Sequence, residues 1–145
     1  LLTHYAIEPW QLIFEVTECS TFCNAEQALH ILRQLQKMGV RIAIDDFGTG
    51  YASYARLKSV DADILKIDGS FIRNIVNNSL DYQIVASICH LARMKKMLVV
   101  AEYVETEEIR SAVHALGIDY VQGYLIGKPV ALESLAETEA STTDA

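Results

Sequence analysis

The side chains that could do chemistry in this sequence are mostly acids, and they recur at one kind of place. Glu15 and Glu18 fall at the end of the apolar run Leu12 to Val16, and Asp45 and Asp46 close Val40 to Ile44. Lys66 and Asp68 end Ile64 to Ile67, Glu102 and Glu105 follow Met97 to Ala101, and Gln122 ends Asp119 to Gln122. Carboxylates gathered together repel one another, and at neutral pH protons or cations must neutralise them. Oxygen-only ligands suit hard divalent ions, Mg²⁺ or Mn²⁺, rather than zinc. Two such ions about 3.5–4 Å apart form a clamp for phosphodiester hydrolysis. For that chemistry Asp45 is the natural bridging ligand, with Glu15 and Asp46 as further ligands. Lys66 is a fixed positive charge that orients the water or steadies developing charge, and Glu102 binds or deprotonates the water. Taken singly, each acid is more often a helix cap or a turn residue, and Asp45-Asp46 before Phe-Gly-Thr-Gly could be a plain turn. Lys66 is harder to set aside, because a lysine between Leu65 and Ile67 in an apolar strand needs a partner.

The elements that must position these groups alternate regularly. Strand-length apolar runs at 12–16, 40–44, 64–67, 97–101 and 119–122 are separated by stretches of helical period. Asn24 caps a helix carrying Ala28, Leu29, Ile31, Leu32 and Leu35, which stops at Gly39. A short helix is expected at Ser53 to Lys58 and a long one from Asp81 to Lys95. Thr106 caps another that ends at Gly117. Such alternation implies parallel strands with crossover helices. A doubly wound sheet and a (β/α)8 barrel both remain open on that evidence. In a barrel the strand ends converge on one face; in an open sheet they spread along an edge.

Composition narrows the class. A net charge of −7 gives no reason to expect a nucleic-acid backbone as partner, although a local site can still hold a phosphate ligand. Cys19, Cys23 and Cys89 are odd in number and lack zinc spacing, so they read as reduced thiols of a cytoplasmic protein. His4, His30, His90 and His114 carry no ligand spacing. No apolar run approaches the roughly 20 residues of a membrane helix. Leu1 to Trp10 has no secretory-signal pattern, and the chain reads as starting in mid-fold. The tail, Thr138 to Ala145, is small and polar, and residues 137–145 are expected to be disordered.

Five runs then resemble, in order and spacing, the successive motifs of EAL domains. They are FEVTE (Phe14 to Glu18), DDFGTGY (Asp45 to Tyr51), LKIDGSF (Leu65 to Phe71), VAEYVET (Val100 to Thr106) and QGYLIGKP (Gln122 to Pro129). The resemblance implies an α/β fold: residues 1–136 would be the C-terminal part of a TIM-like (β/α) barrel, with about five of eight βα units. It implies hydrolysis of cyclic di-GMP to linear pGpG with two Mg²⁺ or Mn²⁺ ions. Glu15, Asp45 and Asp46 would be metal ligands, and Lys66 and Glu102 the pair that handles the water. Gln122 would lie beside substrate and metal, with Glu105 supporting the same face. Glu18 would steady the loop Phe47 to Ser53, which includes Gly48 and Thr49 and is similar to a loop tied to metal binding and dimerisation.

The sequence also departs from the family. The Glu-Ala-Leu motif and the strand bearing a ligand asparagine would precede Leu1, so these residues alone are expected to be inactive. Tyr103 stands where the family usually has glycine, and Gly69 where it usually has arginine. Both departures leave open, beside the enzyme, a catalytically inactive, degenerate domain acting as a regulatory or cyclic di-GMP-binding module of a diguanylate cyclase. The resemblance further allows upstream GGDEF or sensor domains and a parent anchored in the inner membrane.

Overall fold

The computed structural model describes residues 2–17, 25–48, 57 and 60–131. Glu18, Thr49, Cys19, Cys23, the cap at Asn24, most of the expected helix at 53–58 and the tail lie outside them. Five strands run as β1 Ile13–Thr17, β2 Arg41–Phe47, β3 Ile64–Ile67, β4 Leu98–Ala101 and β5 Tyr120–Val121. The helices are α1 Ala25–Lys37, α2 Gly69–Ile72, α3 Ser79–Met94 and α4 Glu107–Ala115. Short 3₁₀ turns occupy Thr3–Tyr5 and Pro9–Gln11.

All neighbouring strands pair parallel, in the order β1-β2-β3-β4-β5. A doubly wound sheet reverses its strand order at a switch point. Here sequence order and spatial order coincide, as they do in an arc of a (β/α) barrel. The alternative left open by the sequence is thereby decided in favour of the partial barrel.

The core lies along the middle of the arc. Every residue of β3 is buried, and Ile44, Val99 and Ala101 of its neighbours join it. Val85, Ile88, Cys89 and Ala92 of α3 and Ile109 and Val113 of α4 close the layer. Each fully buried Ile or Val contributes roughly 1.5–3 kcal/mol. Burial pushes the Cys89 thiol up to about 11, so it stays protonated at neutral pH. Helix starts follow local chemistry. Asn78 accepts from Leu80 N at 3.0 Å and Asp81 N at 3.4 Å, and Thr106 Oγ1 accepts from Ile109 N at 3.3 Å.

Two aspartates staple the strand starts. Asp63, before β3, accepts from Ile42 N at 2.8 Å, and Asp119, before β5, accepts from Val99 N at 2.8 Å. They serve stability at the end of the sheet remote from the acids described below.

The β1 edge is different. Leu12, Ile13 and Phe14 are 37%, 43% and 50% exposed, and an open parallel edge with apolar side chains invites pairing with another chain. The isolated 145 residues are therefore expected to self-associate with increasing concentration. A monodisperse monomer by light scattering at micromolar concentration would contradict this. Among the described residues no helix is long and apolar enough to cross a membrane.

Candidate active site

Lys66 is the one buried charged residue among those described. Its neighbours Leu65 and Ile67 are wholly buried, and alternation along β3 sends Lys66 to the opposite side. There its Nζ lies 2.7 Å from Asp45 Oδ1, 2.8 Å from Glu102 Oε1 and 3.2 Å from Glu15 Oε2. Acids from β1, from β2 and from the residue after β4 thus meet at one ammonium on β3. Burial pulls the Lys66 pKa down, but the close contacts with Asp45, Glu102 and Glu15 outweigh it and hold the ammonium above the usual lysine range.

Strand geometry would put Asp45 and Asp46 on opposite faces, since side chains alternate. The structure avoids this with a bulge. Ile44 pairs with Leu65 and Phe47 with Ile67, so Asp45 and Asp46 together face the single Lys66. Asp46 takes φ 53, a left-handed conformation that Asp tolerates better than most residues. One oxygen each of Asp45, Asp46 and Glu102 consequently lie within 4.8 Å of one another. Glu15 is the middle residue of β1 rather than its last, and reaches the cluster from the side through Lys66.

The four carboxylates outnumber the one ammonium. Burial, followed by the charges of Asp45 and Asp68, raises the Asp46 carboxyl above its ordinary value. Asp45 Oδ1 is buried, and its close partner is the Lys66 ammonium at 2.7 Å. Excess negative charge and three carboxylate oxygens within 4.8 Å of one another form an all-oxygen donor set that fits a hard divalent cation. Asp45, Asp46 and Glu102 are the residues placed to hold one.

Beside this cluster a cleft of about 180 Å³ is lined by Glu102, Tyr103, Glu105, Gln122, Gly123 and Tyr124. Gln122 and Glu105 therefore share a wall with Glu102. Gly48 sits elsewhere: it takes φ 109, and a Cβ there would meet the Phe71 ring at 2.6 Å. Its role is to turn the chain after the bulge.

The two departures noted in the sequence are in contact. Tyr103 takes φ 60, and its side chain lies against Gly69, where a Cβ would come within 2.6–2.8 Å of Tyr103 Cβ, Cγ and Cδ2. Arg73 sits over the ring at 3.6 Å from its centroid. The ring fits because Gly69 has no side chain, and Glu102 still reaches Lys66. The bulge, Arg73 and Tyr124 are what sequence reasoning missed. The adjacent acids before a glycine-rich loop could have signalled the bulge.

A family model described as the EAL domain matches residues 1–129. The chain belongs to the EAL family. It is 74% identical over 140 residues to the cyclic di-GMP phosphodiesterase PdeF of Escherichia coli K12, covering 96% of this chain and 19% of that protein. It is 44% identical over 139 residues to MucR of Pseudomonas aeruginosa, a bifunctional diguanylate cyclase/cyclic di-GMP phosphodiesterase, covering 96% of this chain and 20% of MucR. Among solved structures, the MucR phosphodiesterase in complex with cyclic di-GMP superimposes with a TM-score of 0.85 at 45% identity, over 92% of this chain and 54% of that one. The manganese and cyclic di-GMP complex of Klebsiella pneumoniae BlrP1 gives 0.81 at 34% identity, over 86% and 32%. The chain spans about a fifth of the length of these curated relatives and about half of the MucR phosphodiesterase structure. Within the EAL fold, the Lys66 cluster lies at and just beyond the carboxyl ends of β2, β3 and β4, the face on which barrel enzymes work.

Proposed function

We propose that this EAL chain supplies most of the catalytic centre of a phosphodiesterase that opens cyclic di-GMP to linear pGpG. The observation that carries the reading is the Lys66 cluster: one buried ammonium gathering Glu15, Asp45 and Glu102, with Asp46 turned in beside them. The names of PdeF and MucR support the substrate, and the BlrP1 complex supports a divalent ion.

Two Mg²⁺ or Mn²⁺ ions, when bound, would supply an acidified water and charge neutralisation at the phosphate. Glu15, Asp45 and Asp46 are the residues that would hold them. Lys66 fixes the Glu102 carboxylate at 2.8 Å, so Glu102 is oriented to take the proton of the attacking water. The water oxygen bonds to phosphorus, the bridging P–O bond breaks, and the leaving hydroxyl takes a proton from solvent. Lys66 also opposes the negative charge that develops on the phosphate. Gln122, lining the cleft beside Glu102, positions substrate, and Glu105 supports that wall. Glu18, Gly48 and Thr49 act through the loop after Asp46, which we also assign to contact with a second copy.

The domain is best placed on the cytoplasmic side of a longer signalling protein. Upstream GGDEF or sensor segments are consistent with MucR's combined activities. The test is turnover of cyclic di-GMP by the full-length protein with Mg²⁺ or Mn²⁺. We expect pGpG by chromatography, with Glu102→Gln slowing its formation by about 10²–10⁴-fold. Binding without turnover would make the domain a receptor, and neither would remove the assignment.

A further inference from the structure

Tyr103 is held in a way that side-chain packing alone does not require. A left-handed backbone is unfavourable for a non-glycine residue, yet Tyr103 takes φ 60 immediately after Glu102. Its ring is fixed from two directions, by the bare backbone of Gly69 and by the Arg73 guanidinium at 3.6 Å. It is nonetheless 44% exposed, and it borders the cleft that Glu102 and Gln122 share with a second exposed ring, Tyr124. Lys128 stands 5.3 Å from the Tyr124 centroid. Ligand pockets usually enclose about 300–1,000 Å³; this cleft of about 180 Å³ has room for one ring system. Two aromatic rings, each beside a cation, line this cleft together with Glu102 and Gln122. Nucleic acid bases are bound by this chemistry, through stacking on aromatic side chains.

Building on the phosphodiesterase reading, we propose that Tyr103 is a substrate-binding contact that stacks on one guanine base of the cyclic dinucleotide with the face turned away from Arg73. Arg73 is a positioning residue: it is absent from the cleft wall and acts by holding the ring. Gly69 acts in the same way, by leaving the ring its place. Tyr103 and Gly69, which look in sequence like two losses, are in this reading one device.

The test uses the full-length protein carrying Glu102→Gln, so that substrate is held rather than consumed, with cyclic di-GMP titrated calorimetrically in Mn²⁺. Tyr103→Gly suits φ 60 and removes the ring, so the fold is kept. It is expected to weaken binding about 10–100-fold with an unchanged or higher melting temperature. Tyr103→Phe should bind within about twofold of the parent, since the stacking face survives. Gly69→Ala, which displaces the ring without touching the cleft, should weaken binding in the same direction as Tyr103→Gly. In the background with Glu102 intact, Tyr103→Gly should raise KM far more than it lowers kcat. Unchanged affinity in a folded Tyr103→Gly protein would overturn the base contact while leaving the phosphodiesterase reading intact. Failure of the Glu102→Gln parent itself to bind cyclic di-GMP would overturn both.

Discussion

Replacing Lys66 by methionine is expected to destabilise the metal-free protein by about 2–4 kcal/mol and to abolish turnover. Methionine fills the volume of the lysine stem, so the loss isolates the charge. Removing one partner of a fully buried ion pair costs about 3–5 kcal/mol, because the other is left uncompensated. The figure is discounted because the Glu15, Asp45 and Glu102 side chains keep 49%, 21% and 17% of their exposure, and solvent screens them. The Lys66 pKa is raised in the folded state. Its contribution is therefore complete below the unfolded lysine value of about 10.4 and fades only as pH rises through the higher folded value. Across the physiological range the destabilisation should not vary through titration of Lys66. Divalent ions distinguish this account from simple packing loss. If the acids form a cation site, Mn²⁺ should restore part of the lost stability in Lys66→Met, because it supplies the missing positive charge. Chemical denaturation with and without Mn²⁺ reads both effects. A variant as stable as the parent, or one indifferent to Mn²⁺, would mean that the cluster is not held together as described.

The strand plan of this domain was legible because parallel strands buried on both faces are apolar throughout. Ile64 to Ile67 was bounded correctly, and the cap at Thr106 was found where a side-chain oxygen could meet a free backbone N–H. The cap at Asn78 precedes the apolar stripe of α3, which begins at Ile84 and Val85, so the stripe does not announce it. Strand order could not be read, since alternation of strands and helices does not say whether each new strand joins the same side. The site was legible as a set of residue types at strand ends. Its geometry was not, because period-two alternation separates Asp45 from Asp46. Only a one-residue slip against β3, with Asp46 left-handed, brings them together. Gly69 and Tyr103 show the same limit from the other side. Each looked like an isolated departure, and their meaning lies in a contact between residues far apart in sequence.

Gly123→Ala is the second substitution expected to do large damage, by a route independent of charge. A Cβ at Gly123 would lie 2.3 Å from Val104 O, 2.4 Å from Val104 N and 2.7 Å from Val104 C. These are backbone atoms, which cannot rotate aside. Val104 is itself completely buried. Its N donates to Gln122 O at 3.0 Å, and its O accepts from Leu125 N at 3.1 Å. The close approach of the two segments is thus stitched on both sides of Gly123, and a methyl group must break one of the stitches. Overpacking of this kind costs typically about 1–3 kcal/mol, and rigid backbone on both sides puts this case at the upper end. The functional loss should exceed the stability loss, because the displaced segment carries Gln122 and Tyr124 into the cleft with Glu102. Gly127→Ala is the matching control: a Cβ there meets nothing within 4 Å, and that variant should melt and turn over like the parent. Equal behaviour of the two alanine variants in thermal melts and pGpG formation would show that Gly123 does not set the position of Gln122. A selective loss in Gly123→Ala would place the β4–β5 approach among the features that shape the site.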